Sequence, residues 1–89
     1  MPTVILVGDL GTGHGNYGST KVLTGSSTVF VEGRAIARKG DLLEPHHDHR
    51  RIITGGSNSV FVDGKPAARV GDNINCGGVL IGTSSVNIG

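Results

Sequence analysis

The chain contains an internal repeat, and a repeat constrains its fold more than any other feature. Val29-Phe30-Val31-Glu32-Gly33 through Arg38-Lys39-Gly40-Asp41 returns 31 residues later as Val60-Phe61-Val62-Asp63-Gly64 through Arg69-Val70-Gly71-Asp72. Upstream, Gly25-Ser26-Ser27-Thr28 matches Gly56-Ser57-Asn58-Ser59. A third copy starts at Gly82-Thr83-Ser84-Ser85-Val86-Asn87-Ile88-Gly89, and its missing half lies at the other end, where Val4-Ile5-Leu6-Val7-Gly8-Asp9 matches Ala67-Ala68-Arg69-Val70-Gly71-Asp72. A repeat unit cannot bury its apolar face alone, so the copies must close on one another. Each copy reads as a hairpin, with alternating Val-x-Val, a turn at Glu32-Gly33 or Asp63-Gly64, and an extended return to Gly-Asp. The expected fold is all-β, a pseudo-threefold arrangement of three β-hairpins, with residues 1–89 forming one domain.

Such a domain has a thin core. The chain has 89 residues, 36% of them hydrophobic, and its aromatics are Tyr17, Phe30 and Phe61. Small single cores commonly need a disulfide, a metal or a partner. The lone Cys76 forms no internal disulfide, which leaves a metal or a partner and points to folding in a reducing compartment. The net charge is +1 with Lys and Arg dispersed, so no basic stripe marks nucleic acid or an anionic membrane as a partner. No charged and then apolar leader opens the chain, and no apolar run reaches the length of a membrane span. Export by a cleaved signal peptide is therefore not expected.

The metal candidates emerge from the repeat. His14 lies five residues beyond Asp9, His46 five beyond Asp41, and Cys76 four beyond Asp72, while His49 follows His46 by three. Three histidines and a cysteine make a closed tetrahedral set suited to one structural Zn²⁺. Within the middle loop His46 and His47 compete for one place, because adjacent side chains of extended backbone point oppositely; the register favours His46. A hydrolytic zinc would need an open water position and a base such as Glu44 or Asp48. Both carboxylates read instead as solvated loop residues. Gly13-His14-Gly15-Asn16-Tyr17-Gly18 mimics a dinucleotide fingerprint but lacks the helix that such a site requires. The recurring Arg38/Asp41 and Arg69/Asp72 pairs, with Asp9 as the third carboxylate, are expected to accept backbone N–H groups at the turns while the arginines cover the hairpin flanks.

Pro66-Ala67-Ala68-Arg69, followed by Val70-Gly71-Asp72 and Cys76-Gly77-Gly78, resembles the signature of the PAAR-repeat proteins, and the likeness runs from about Gly8 to Gly89. The resemblance implies a small conical domain that caps the trimeric β-helix of a VgrG-type spike in a type VI secretion system, or the related spike of a contractile phage tail. It also implies a zinc near the apex on His14, one of His46 or His47, His49 and Cys76. The expected role is that of a structural spike tip rather than an enzyme. It would aid membrane puncture, recruit effectors non-covalently, carry no effector extension of its own, and leave the cell with the injection machine. The competing readings are a zinc-dependent hydrolase toxin and a metal-storage module.

Overall fold

A computed structural model describes residues 2–13, 18–46 and 49–89, the side chains of residues 46 and 49 excepted. The described residues form strands and turns without a helix. In chain order the strands are β1 (Leu10–Gly11), β2 (Thr20–Lys21), β3 (Phe30–Val31), β4 (Arg34–Ala35), β5 (Leu42–His46), β6 (His49–Ile52), β7 (Phe61–Val62), β8 (Lys65–Pro66) and β9 (Leu80–Ile81). The repeated hairpins are β3–β4 and β7–β8, with Val31 opposite Arg34 and Val62 opposite Lys65. Their turns have positive φ at both central residues, 54° and 79° at Glu32-Gly33 and 55° and 78° at Asp63-Gly64. That is the primed geometry whose twist suits a two-residue hairpin.

The third hairpin is split between the two ends of the sequence, as the repeat requires. Thr3 bridges Asn87, the Val4 N–H donates to the Val86 carbonyl at 2.9 Å, and the Ile88 N–H donates to the Pro2 carbonyl at 2.9 Å. The bend of this copy is one residue shorter than in the others. The buried hydroxyl of Ser57 accepts the N–H groups of Ser59 and Val60, two and three residues on, whereas that of Ser84 accepts the N–H of Val86, the equivalent of Val60, already two residues on. Gly82 therefore corresponds to Gly55 and Thr24, not to Gly56 and Gly25 as the sequence alignment had it, and the copies regain register at Val86.

The three return segments lock into a closed ring. Ile5 N–H donates to the Ala68 carbonyl, Ala68 N–H to that of Ala37, and Ala37 N–H to that of Ile5, each at 2.9 Å. Successive residues of extended backbone point to opposite faces, so the ring divides the core in two. Val4, Ile36 and Ala67 belong to one apolar cluster together with Leu6 and Val62. Ile5, Ala37 and Ala68 face the other, formed with Val22, Leu43, Ile53, Ile74 and Leu80. Each return strand then ends at a glycine in the left-handed region, Gly8, Gly40 and Gly71 at φ 97°, 95° and 92°, a conformation that side chains disfavour. The aspartate that follows accepts an N–H three residues back: Leu6 to Asp9 at 2.8 Å, Arg38 to Asp41 at 2.7 Å and Arg69 to Asp72 at 2.7 Å.

Beyond the ring the structure adds a second set of hairpins that the repeat did not reveal. These are β1–β2, β5–β6, and a loop closed by an Asn73–Val79 bridge. Their sequences differ from copy to copy, which hid them.

The same frame explains Pro66-Ala67-Ala68-Arg69. Ala67 N–H bonds the Val60 carbonyl at 2.9 Å, so the neighbouring Phe61–Pro66 pair falls on the non-hydrogen-bonded step of the ladder, where a missing N–H costs nothing. Ala67 and Ala68 are fully buried on opposite faces of the ring. Arg69 then clamps Asp72 and the carbonyls of Gly56 and Gly89.

Candidate metal centre

The second set of hairpins carries the predicted ligands. Cys76 sits in the loop closed by Asn73 and Val79, half-buried and packed against the Ile5 side of the core. Gly77 follows at φ 100°, and its N–H turns back to the Ile74 carbonyl at 3.1 Å. Asn75 fastens this loop to β6: its N–H donates to the Ile52 carbonyl at 3.0 Å, its Oδ1 accepts the Ile52 N–H at 2.9 Å, and its Nδ2 donates to the Arg50 carbonyl at 3.1 Å. Thr12 fastens the other flank, its N–H donating to the Val79 carbonyl at 2.8 Å and its Oγ1 accepting the Val79 N–H at 2.9 Å.

The backbones of His46 and His49 lie opposite each other in the β5–β6 register, beyond an irregularity between Leu43 and His46. Their side chains, and the whole of His14, His47 and Asp48, lie outside the described residues. The structure thus brings the His46/His49 hairpin beside the Cys76 loop through Asn75. Among the described residues no group of three or more His, Cys, Asp or Glu gathers.

Arg51 is the residue that sequence reasoning missed. Its side chain is 0% exposed. Its Nε donates to Cys76 Sγ at 3.1 Å, Nη1 to the Thr20 hydroxyl at 2.8 Å and the Gly11 carbonyl at 3.3 Å, and Nη2 to the Thr12 carbonyl at 2.5 Å. Gly78 makes room for it, and Gly11 makes room for the apolar side chains beneath. A Cβ on Gly78 would overlap the Thr12 carbonyl and come within 2.6 Å of Arg51 Nη2, and one on Gly11 would overlap the ends of Ile74 and Leu43. A sulfur that faces an N–H donor while remaining partly open is in keeping with a metal thiolate, whose outer partners commonly supply such a donor. The described part of the donor set therefore fits a soft or borderline ion.

Glu44, the candidate base, is exposed and already engaged: its Oε1 accepts the Lys21 N–H at 3.1 Å, tying β2 to β5. The Arg–Asp pairs are structural, as their repetition implied. Arg38 bonds Asp41 through Nε at 2.9 Å and Asp63 through Nη1 at 2.8 Å. Burial would raise the Asp41 carboxyl, but the Arg38 and Thr24 hydrogen bonds outweigh it and hold the group below its usual range. The hydroxyls of Ser26 and Thr28, with Arg38 beyond them, depress Asp63 likewise. At Asp9 the copy lacks its own arginine, since Leu6 stands there. Arg34 reaches across from the next hairpin to Asp9 Oδ1 at 3.3 Å instead.

A protein-family model described as the PAAR motif matches residues 12–82. The chain belongs to the PAAR-motif family. The match covers most of the sequence, including Arg51, Cys76 and both complete repeated hairpins. PAAR-motif proteins are associated with the spike tips of type VI secretion, and the family is structural rather than enzymatic. A search of the curated proteins finds no match.

Proposed function

We propose that this chain caps a trimeric VgrG-type spike of a type VI secretion system, with one zinc ion on His14, His46, His49 and Cys76 pinning the end that leads into the target. The observation that carries this reading is the closed ring of Ile5, Ala37 and Ala68: a single chain with threefold-related surfaces can offer one equivalent face to each subunit of a trimer. Phe30 and Phe61 support it. They are 57% and 56% exposed, occupy matching positions of two copies, and lie on hairpins whose neighbouring valines pack against the cluster on the far side of the ring from Cys76. Aromatics displayed this way are typical anchors of an interface. The zinc, when bound, supplies cross-linking between loops of different copies rather than chemistry on a substrate. Glu44's engagement with β2 favours that structural role over a hydrolytic one. In this reading the chain leaves the cell with the spike and recruits effector proteins to it.

The test is to mix the purified chain with a purified trimeric spike protein and measure stoichiometry by light scattering. One chain per trimer is the expected result, weakened at least tenfold by Phe30→Ser with Phe61→Ser. A spike that takes up no chain, or three chains per trimer, would overturn the proposal.

A further inference from the structure

We infer that Arg51 is the positioning residue of the metal end, a guanidinium that joins all three copies and aims Cys76 before any ion enters. The inference rests on reading Cys76 as a metal ligand, but on no assumption about the spike.

The hydrogen-bond frame pairs Val22, Ile53 and Leu80 as equivalents, since each donates its N–H to the carbonyl of the aspartate of a Gly-Asp step: Val22 to Asp9, Ile53 to Asp41 and Leu80 to Asp72. Counting two residues back from each gives Thr20, Arg51 and Gly78 as one threefold-related triplet. Within this triplet one member is a cation, one offers a hydroxyl to it, and one lacks the Cβ that would collide with it. The three positions are thus complementary to one another, and the fit is between copies rather than within one.

No carboxylate among the described residues lies within ion-pairing distance of this buried guanidinium. A buried charge without such a partner is costly unless its donors are satisfied. Its donors go to two carbonyls, a hydroxyl and the Cys76 sulfur, so the cation is directed at the loops and the ligand. Arg suits this place where Lys does not, because its planar fork serves several acceptors at fixed angles. The consequence is preassembly: the loops bearing Gly11, Thr12 and Cys76 are gathered around Arg51 whether or not a metal is present, and the sulfur is held toward its neighbours.

The experiment compares Arg51→Met, Arg51→Lys and Thr20→Val with the unaltered full chain. Thr20→Val removes one acceptor and leaves the Nε–Sγ contact in place, so it reports the structural part alone. Zinc release to a chromophoric chelator is timed, the thiolate-to-metal absorption band of the Co²⁺-loaded protein is recorded, and amide exchange is followed in the metal-free protein. Arg51→Met should speed zinc release at least tenfold, move the Co²⁺ band to longer wavelength as the sulfur loses its N–H donor, and raise metal-free exchange at residues 12, 76 and 79. Thr20→Val should leave the band unmoved, and Arg51→Lys should not restore it. An Arg51→Met protein with the original band and release rate would overturn the inference, as would unchanged exchange. If Arg51→Met fails to fold, an Arg51→Lys band identical to the original does so equally. A wild-type chain that takes up neither ion overturns the metal-ligand reading and this inference with it, whereas failure to bind a spike leaves both standing.

Discussion

Exchanging the side chains around the ring tests whether the three copies share one central space. Ile5 is fully buried while its equivalents Ala37 and Ala68 are both alanine. Ile5→Ala removes three carbon groups, about 2.4 kcal/mol at roughly 0.8 kcal/mol each. A residual cavity adds to this, for about 3 kcal/mol in all, inside the usual range for such truncations. In a domain of this size that lowers Tm by roughly 12 to 24 °C. Ala37→Ile alone overfills the same space and costs about 1 to 3 kcal/mol. The double variant keeps the total volume and should recover at least about 2 kcal/mol relative to the sum of the single effects, a coupling expected only of residues that share a space. Guanidinium and thermal unfolding followed by circular dichroism, at one fixed zinc or chelator concentration because bound metal shifts apparent stability, measure all four corners of the cycle. Additive effects within about 0.5 kcal/mol would refute the shared space.

Asp41 should confer an acid limb on stability. Its folded carboxyl is depressed below its ordinary value, so its contribution is complete above the unfolded value of about 3.9 and is lost as pH falls through the lower folded value; urea midpoints between about pH 2 and 7 should show this limb flattened in Asp41→Asn. Gly78→Ala should destabilise by about 1 to 3 kcal/mol through overpacking against Thr12 and Arg51, read as a lower denaturant midpoint with unchanged slope. Phe30→Ser and Phe61→Ser should leave the free chain within about 0.5 kcal/mol of its original stability, as exposed substitutions do, while weakening spike capture.

The features legible in the sequence are those that repeat with their chemistry intact. The Glu32-Gly33 and Asp63-Gly64 turns, the Gly-Asp steps and the return of residues 4–9 to the third copy all depend on local backbone demands that recur identically, and the structure has each of them. What escaped depends on differences between copies. Thr20 and Arg51 stand 31 residues apart and could have been compared, but Gly78 falls out of step because the third copy is shorter between its Gly-Asp and its bend. The shortened bend likewise misaligned Gly82, since one residue fewer between the buried serine and the valine that follows it leaves no mark in composition. The hairpins beyond the ring share topology without sequence, each being shaped by contacts with the other two copies. Of the four predicted ligands only the Cys76 side chain lies among the described residues, with Asn75 joining its loop to the strand that begins at His49.

The mixed occupancy of the central axis has a consequence for ancestry and design. In a true trimer, symmetry would multiply every axial side chain by three: three isoleucines would collide at the ring, and three guanidinium groups would repel one another where Arg51 lies. Three linked copies are exempt from that rule. Each level of the axis can hold one bulky or charged group beside two yielding neighbours, and the space between the copies where Arg51 lies can be filled by a single chemical group that a symmetric assembly has no means of specifying.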